Sequence, residues 1–175
     1  MAAPAEEQLS EADQDARRDW FRRHWQTNIP FNRLCGLQVR HWDTDRVEIV
    51  VPYSDDLSAH PGVLHGGVLS SLIDTAGTGA VLAGHDFTRG SRISTVSLSV
   101  QYLAVARNED VLATAAAVKR GRLVHVASVE VTGLSSHRLV ATGQVTATVE
   151  GHRPGLLGPL PDDRPPGATR GSTNS

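Results

Sequence analysis

Between Gly66 and Gly84 the chain carries one ionisable side chain, Asp74. The rest of the run is Val68, Leu69, Leu72, Ile73, Ala76, Ala80, Val81 and small residues. On a helix these apolar residues cover most of the circumference, and a helix apolar nearly all round must be buried. Something large and apolar therefore has to pack against it. Gly77 and Gly79 weaken the helix intrinsically, so close approach of another backbone is expected there. The run is entered through His60-Pro-Gly-Val-Leu-His-Gly-Gly67, which leaves bare N–H groups at the helix start. Such groups stabilise developing negative charge, and a carboxylate in an apolar wall can act as base or nucleophile. Together they point to hydrolysis at a carbonyl.

The flanking segments supply the packing surface. Ser10 followed by Glu11 and Asp13 reads as a helix start, with acids where the macrodipole favours them, and the helix is expected to run to about Gln26. Trp20, Phe21, His24 and Trp25 share one face, which predicts docking on the body. Pro30 opens a connection ending at Gly36. Residues 37–41 and 46–51 read as strands, and 53–64 as a polar loop. Beyond residue 90 the period becomes two: Val96, Leu98, Val100 and Tyr102 alternate with Ser97, Ser99 and Gln101. Residues 111–118, 123–131 and 139–149 are further strands, and their short connections make them antiparallel neighbours. The fold class is α+β: an antiparallel sheet against a long central helix, with an extra N-terminal helix. The expected divisions are an N-terminal extension over 1–29, the main domain over 30–150, and a disordered Pro/Gly-rich tail over 151–175.

The 175 residues suffice for one domain with a real core. A net charge of −2 gives no electrostatic case for nucleic acid or an anionic membrane as partner. Cys35 is the only cysteine, which excludes an internal disulfide; a small buried residue near a turn is expected. His60, His65 and His85 with Asp74 and Asp86 match no familiar ligand spacing, so neither metal nor cofactor is expected. His125, among Val and Ala on a strand, reads as a satisfied core histidine. The apolar run is broken by Asp74, Thr75 and Thr78 and makes a poor membrane span. The charged N-terminus lacks the apolar stretch of a signal peptide, and a cytoplasmic location is expected.

The segment Gly62-Val-Leu-His-Gly-Gly-Val-Leu-Ser-Ser-Leu-Ile-Asp74 resembles the signature of hotdog-fold thioesterases of the phenylacetate-degradation (PaaI-like) type. Thr95-Val-Ser-Leu-Ser-Val-Gln-Tyr-Leu103 resembles their next strand, and Leu139-Val-Ala-Thr-Gly143 their last hairpin. The resemblance implies a sheet wrapped around a central helix and a homodimer with one continuous sheet, often paired into a tetramer. It also implies metal-free hydrolysis of acyl-CoA or aryl-CoA. By position, the Gly66 N–H would polarise the thioester carbonyl, His65 would shape that corner, and Asp74 would be general base or nucleophile. Thr95 and Thr78 lie where relatives place assisting hydroxyls. Gly67 and His60 would border the substrate, and the turn Lys119-Arg120-Gly-Arg122 would meet the CoA phosphates. One position departs: relatives commonly carry Asn or Gln six residues before the His, and here that residue is Ala59, with His60 beside it.

Spacing gives a separate argument. Gly66 and Asp74 are eight residues apart, which at helical rise is about 12 Å. One carbonyl cannot touch the first while its attacking water touches the second on the same helix, since those partners must lie within about 3 Å. If both serve one reaction, the site lies between two antiparallel copies of the helix, in a two-fold dimer. Two other readings stay open: a protein that holds acyl-CoA without hydrolysing it, which Ala59 favours, and a hotdog hydratase or dehydratase.

Overall fold

The computed structural model describes residues 9–151. The expected disordered tail, from 152 onward, lies outside the described residues. Ser10 opens α1 (Glu11–Thr27) with a capping box: its Oγ accepts from the Asp13 N–H at 3.2 Å, and the Asp13 carboxylate accepts from the Ser10 N–H at 3.1 Å. The buried face of α1 carries Trp20, Phe21 and Trp25. Where a plain connection is expected, the chain instead makes a short helix, α2 (Pro30–Leu34). Pro30 suits a first helical turn, where its missing N–H has no partner to lose. The buried Asn32 side chain donates to Trp25 O at 2.7 Å and stitches α2 onto the end of α1.

Then come β1 (Gln38–Trp42) and β2 (Val47–Val51). Residues 53–64 are not a plain loop: they include a small antiparallel ribbon of β3 (Ser58–His60) and β4 (Val63–Leu64), which feeds the long helix α3 (Gly66–Ala83). The last elements are β5 (Ile93–Tyr102), β6 (Val111–Arg120), β7 (Val124–Gly133) and β8 (Leu139–Val149). Among the described residues the main sheet has six strands in the order β1-β2-β6-β7-β8-β5, every neighbouring pair antiparallel. It is the expected α+β arrangement: an antiparallel sheet packed around a central helix, with α1 as the added N-terminal helix.

The inner face of the sheet alternates small and branched residues, with Ala113, Ala115, Ala127, Ala141 and Ala147 beside Val129, Val131 and Val145, all buried. These short side chains let α3 approach closely. Gly77 and Gly79 are required for that, though side chains rather than another backbone set the limit. A Cβ on Gly77 would stand 2.5 Å from Val145 Cγ2, and one on Gly79 would stand 2.8 Å from Trp42 Cζ3. By length and composition α3 could cross a bilayer, but 61% of it is buried inside the fold.

Four neighbouring pairs of the main sheet slip by one residue, and two of these slips bear on the site. β5 has an extra residue at Val96, between Thr95, paired with Ala147, and Ser97, paired with Thr146. β6 has one at Val118, between Ala117, paired with Ala127, and Lys119, paired with Val126. A bulge reverses the inside–outside phase of everything beyond it. Val96 therefore leaves the expected apolar stripe, while Thr95 joins the inner face ahead of Leu98, Val100 and Tyr102.

Candidate active site

His65 links the β3–β4 ribbon to α3 and caps the helix. Its N–H donates to Leu57 O at 2.9 Å, and its ring Nδ1 accepts the Gly67 N–H at 2.8 Å. The Val68 and Leu69 N–H groups return to the His65 carbonyl. That accounting leaves the Gly66 N–H without an acceptor among the described residues. Tyr102, from the far end of β5, donates its hydroxyl to Gly66 O at 3.0 Å and fixes the same residue from its other side. Tyr102 belongs to the site although its sequence position marks it only as one of an apolar stripe.

Asp74 sits half-buried on the second turn beyond. Its Oδ1 accepts the Thr95 hydroxyl at 2.7 Å, and its other oxygen has no hydrogen-bond partner among the described residues. The bulge at Val96 is what turns Thr95 toward α3. The carboxylate borders an open cleft of about 290 Å³, walled by Trp25, Ile29, Phe31 and Asn32 from α1 and α2 and by Ile93 and Thr95 from β5. The Trp25 indole N–H donates to Thr75 O at 2.9 Å, so the N-terminal helix is fastened to α3 one residue past the acid.

The structure brings Asp74 and Thr95 together and keeps other expected participants apart. Thr78 lines the cleft, but its hydroxyl donates to the Asp74 backbone carbonyl at 2.7 Å and not to the carboxylate. Gly67 has no N–H to offer a substrate, because His65 already takes it. His60 stands exposed at the turn of the β3–β4 ribbon, beside exposed Ala59.

Arg120 departs furthest from expectation. The Val118 bulge swings it inward, where it donates to Ala80 O and Thr44 O, both at 2.7 Å, and to Val81 O at 3.3 Å. It thus satisfies carbonyls at the C-terminal end of α3 that the helix itself leaves open, and it is not presented to a CoA phosphate. Lys119 and Arg122 remain exposed at that end, about 25 Å along the axis from Gly66. Cys35 is buried, and burial pushes its thiol up, so it is poorly disposed to ionise.

His85 and His125 form a second buried cluster near the end of α3, their rings 5.4 Å apart. His85 is held to Gly90 O at 3.1 Å, and burial, aided by His125, depresses its pKa to about 4. His125 is a core residue as expected but not a satisfied one: neither ring nitrogen has a hydrogen-bond partner among the described residues. Among the described residues, no group of three His, Cys, Asp or Glu side chains is placed to hold a metal ion.

A profile of the thioesterase superfamily matches residues 61–140, from the ribbon before α3 to the start of β8. Human acyl-coenzyme A thioesterase 13 is 33% identical over 118 residues, covering 67% of this chain and 72% of that protein. The Escherichia coli K12 medium/long-chain acyl-CoA thioesterase YigI is 30% identical over 117 residues, covering 59% and 75%. Among solved structures, the crystal structure of AziG from S. sahachiroi superposes with a TM-score of 0.63 at 30% identity, covering 70% of this chain and 98% of that one. The matched span is 66% to 75% of the length of the two acyl-CoA thioesterases and of a Halobacterium salinarum esterase relative.

Proposed function

The chain belongs to the thioesterase superfamily, and on that premise we propose that it hydrolyses an acyl-CoA or aryl-CoA thioester to the free acid and CoA, at two equivalent sites between the subunits of a homodimer. The observation that carries this reading is the pair of functional groups on α3: an N-terminal amide left unbonded, and a carboxylate held by Thr95 with one oxygen open to a cleft. Asp74 of one protomer accepts the proton of a water attacking the thioester carbonyl. The partner's Gly66 N–H stabilises the oxyanion, and the tetrahedral intermediate collapses with loss of the CoA thiolate.

The arrangement of β5 supports the assembly. It is an edge strand of ten residues with Val96, Leu98 and Tyr102 exposed, and a long apolar edge of this kind invites pairing with another strand. Thr95 near its start touches Asp74, and Tyr102 at its end touches Gly66. If two copies pair β5 antiparallel about a two-fold at Ser99, with Val96 bulged out of the register, Thr95 lies opposite the partner's Tyr102. That register carries each Asp74 toward the partner's Gly66, as the 12 Å rise along one helix requires. A pair of such dimers would make the tetramer.

The test is thiol release from a panel of acyl- and aryl-CoA esters. Wild type is expected to turn over at least one ester. Asp74→Asn is expected to lower kcat by about 10²- to 10⁴-fold with an unchanged thermal midpoint. Ala59, exposed where relatives carry an amide side chain, favours a second reading in which the protein only binds the ester. Saturable binding with no thiol release from any ester would select that reading and reject hydrolysis.

A further inference from the structure

The corner that presents the Gly66 amide is built from pliable backbone. Two glycines open α3, and a helix start lacks the hydrogen-bond ladder that stiffens the interior. A donor aimed at an oxyanion works best when it is fixed before the charge develops. The bonds inside this turn are local. The His65 ring takes the Gly67 N–H, and the Ser70 and Ser71 hydroxyls both donate to Gly67 O, at 3.0 and 2.8 Å. They tie the turn to itself and leave its direction relative to the sheet unset.

The chain from Tyr102 to Asn108 supplies that direction. The Leu64 N–H donates to Ala106 O at 3.2 Å and the Asn108 N–H donates to Gly62 O at 3.0 Å, which grips the ribbon ahead of α3. Tyr102 carries the grip into the helix itself, reaching 36 positions back to Gly66 O. Its own backbone is well held: it pairs with buried Ala141, and the Leu103 and Ala104 N–H groups both donate to Val140 O. The ring lies against the glycine, since a Cβ on Gly66 would stand 3.5 Å from Tyr102 Cε1. The Gly66–Gly67 peptide is therefore held at both ends, its oxygen by Tyr102 Oη at 3.0 Å and its N–H by His65 Nδ1 at 2.8 Å. A peptide group is planar, so pinning both ends fixes Gly66 and with it the amide that precedes. Bonds chained in this way also strengthen one another.

We propose that Tyr102 is a positioning residue for the oxyanion corner: its hydroxyl, acting through the Gly66–Gly67 peptide, sets the direction of the Gly66 N–H. This rests on the thioester reading above and adds to it the side chain that makes a glycine helix start rigid enough to serve. The hydroxyl acts on backbone and not on the reacting atoms, so its effect must pass through the Gly66 amide.

The test compares wild type, Tyr102→Phe, Gly66→Pro and the double variant, using thiol release from the ester that wild type turns over fastest. Tyr102→Phe keeps the ring and removes only the hydroxyl. It should lower kcat about fivefold to tenfold at an unchanged thermal midpoint and leave KM within about twofold, as expected for support given only to the transition state. Gly66→Pro removes the amide but keeps the residue 66 carbonyl, at a position where proline is tolerated. In that background Tyr102→Phe should cost less than about twofold more, because the group it positions is gone; independent roles would multiply. Amide exchange at Gly67, followed by NMR without substrate, should quicken about fivefold in Tyr102→Phe. Unchanged kcat, a loss confined to KM, a loss that tracks a lower midpoint, or losses that multiply would each overturn the inference, as would unchanged exchange at Gly67. If wild type releases thiol from no ester, the hydrolytic reading fails by itself. The exchange rate then still decides whether the Tyr102 hydroxyl holds this peptide.

Discussion

His65 decides which backbone amide remains for a ligand. By accepting the Gly67 N–H it caps α3 and removes one of two candidate donors, so the Gly66 N–H carries the whole oxyanion assignment. Removing that donor without harming the helix is feasible here. Gly66 is the first helical residue, where proline is well tolerated, and His65 sits at φ −66°, ψ 135°, which suits the residue before a proline. Gly66→Pro is expected to lower kcat by about 10²- to 10³-fold. Circular dichroism and the thermal midpoint should stay near wild type. A variant retaining full activity would show that the amide takes no part.

At the scale of elements, the two bulges do most to place side chains. The one at Val96 aims Thr95 at Asp74, and the one at Val118 aims Arg120 at the carbonyl end of α3. Arg120 joins α3 to the β1–β2 turn through Thr44 O. Burial lowers the pKa of its guanidinium, but arginine stays charged in proteins, so the group is a fixed cation against a negative helix end. Arg120→Ala should cost about 1–3 kcal/mol of stability, read as a lower urea midpoint. KM for a CoA ester should hold, which separates the structural role from the phosphate contact expected from sequence. A raised KM with unchanged stability would restore that contact.

At the scale of the whole molecule, the two-fold site makes a prediction no single-chain site can meet. Asp74→Asn and Gly66→Pro protomers, unfolded and refolded together, form mixed dimers in which one site keeps both groups and the other loses both. A statistical mixture should recover about a quarter of wild-type activity from two inactive parents; no recovery would place both groups in one chain. Acid sensitivity is also a property of the whole fold. His85, depressed to about 4 in the folded state, takes up a proton near 6.5 when unfolded. Its contribution is fully present above about pH 6.5 and is lost as pH falls toward 4, to a total of about 3 kcal/mol. His125, lowered by burial and by Arg89 and Arg120, acts in the same direction. Urea midpoints measured from pH 7 to 4 should drop across this window. In His125→Leu the drop should be shallower, with no loss at pH 7, because two unpartnered buried nitrogens are removed.

The sequence by itself determined the parts whose cause is local. The apolar run with one acid required a buried helix, period two required strands, and the glycine turn required a helix entered through side-chain-free backbone. Each follows from which residues stand a few positions apart. The Asp74–Thr95 pairing was legible only through a resemblance, because 21 positions separate the two residues. Tertiary structure alone decided where strand phase breaks, since a single extra residue reverses a face without changing the composition around it. It turned Arg120 from surface cation to helix cap, left His125 unpaired and laid Phe31 over the acid's cleft. Each of those outcomes depends on partners distant in the chain, and burial, not spacing, chose them.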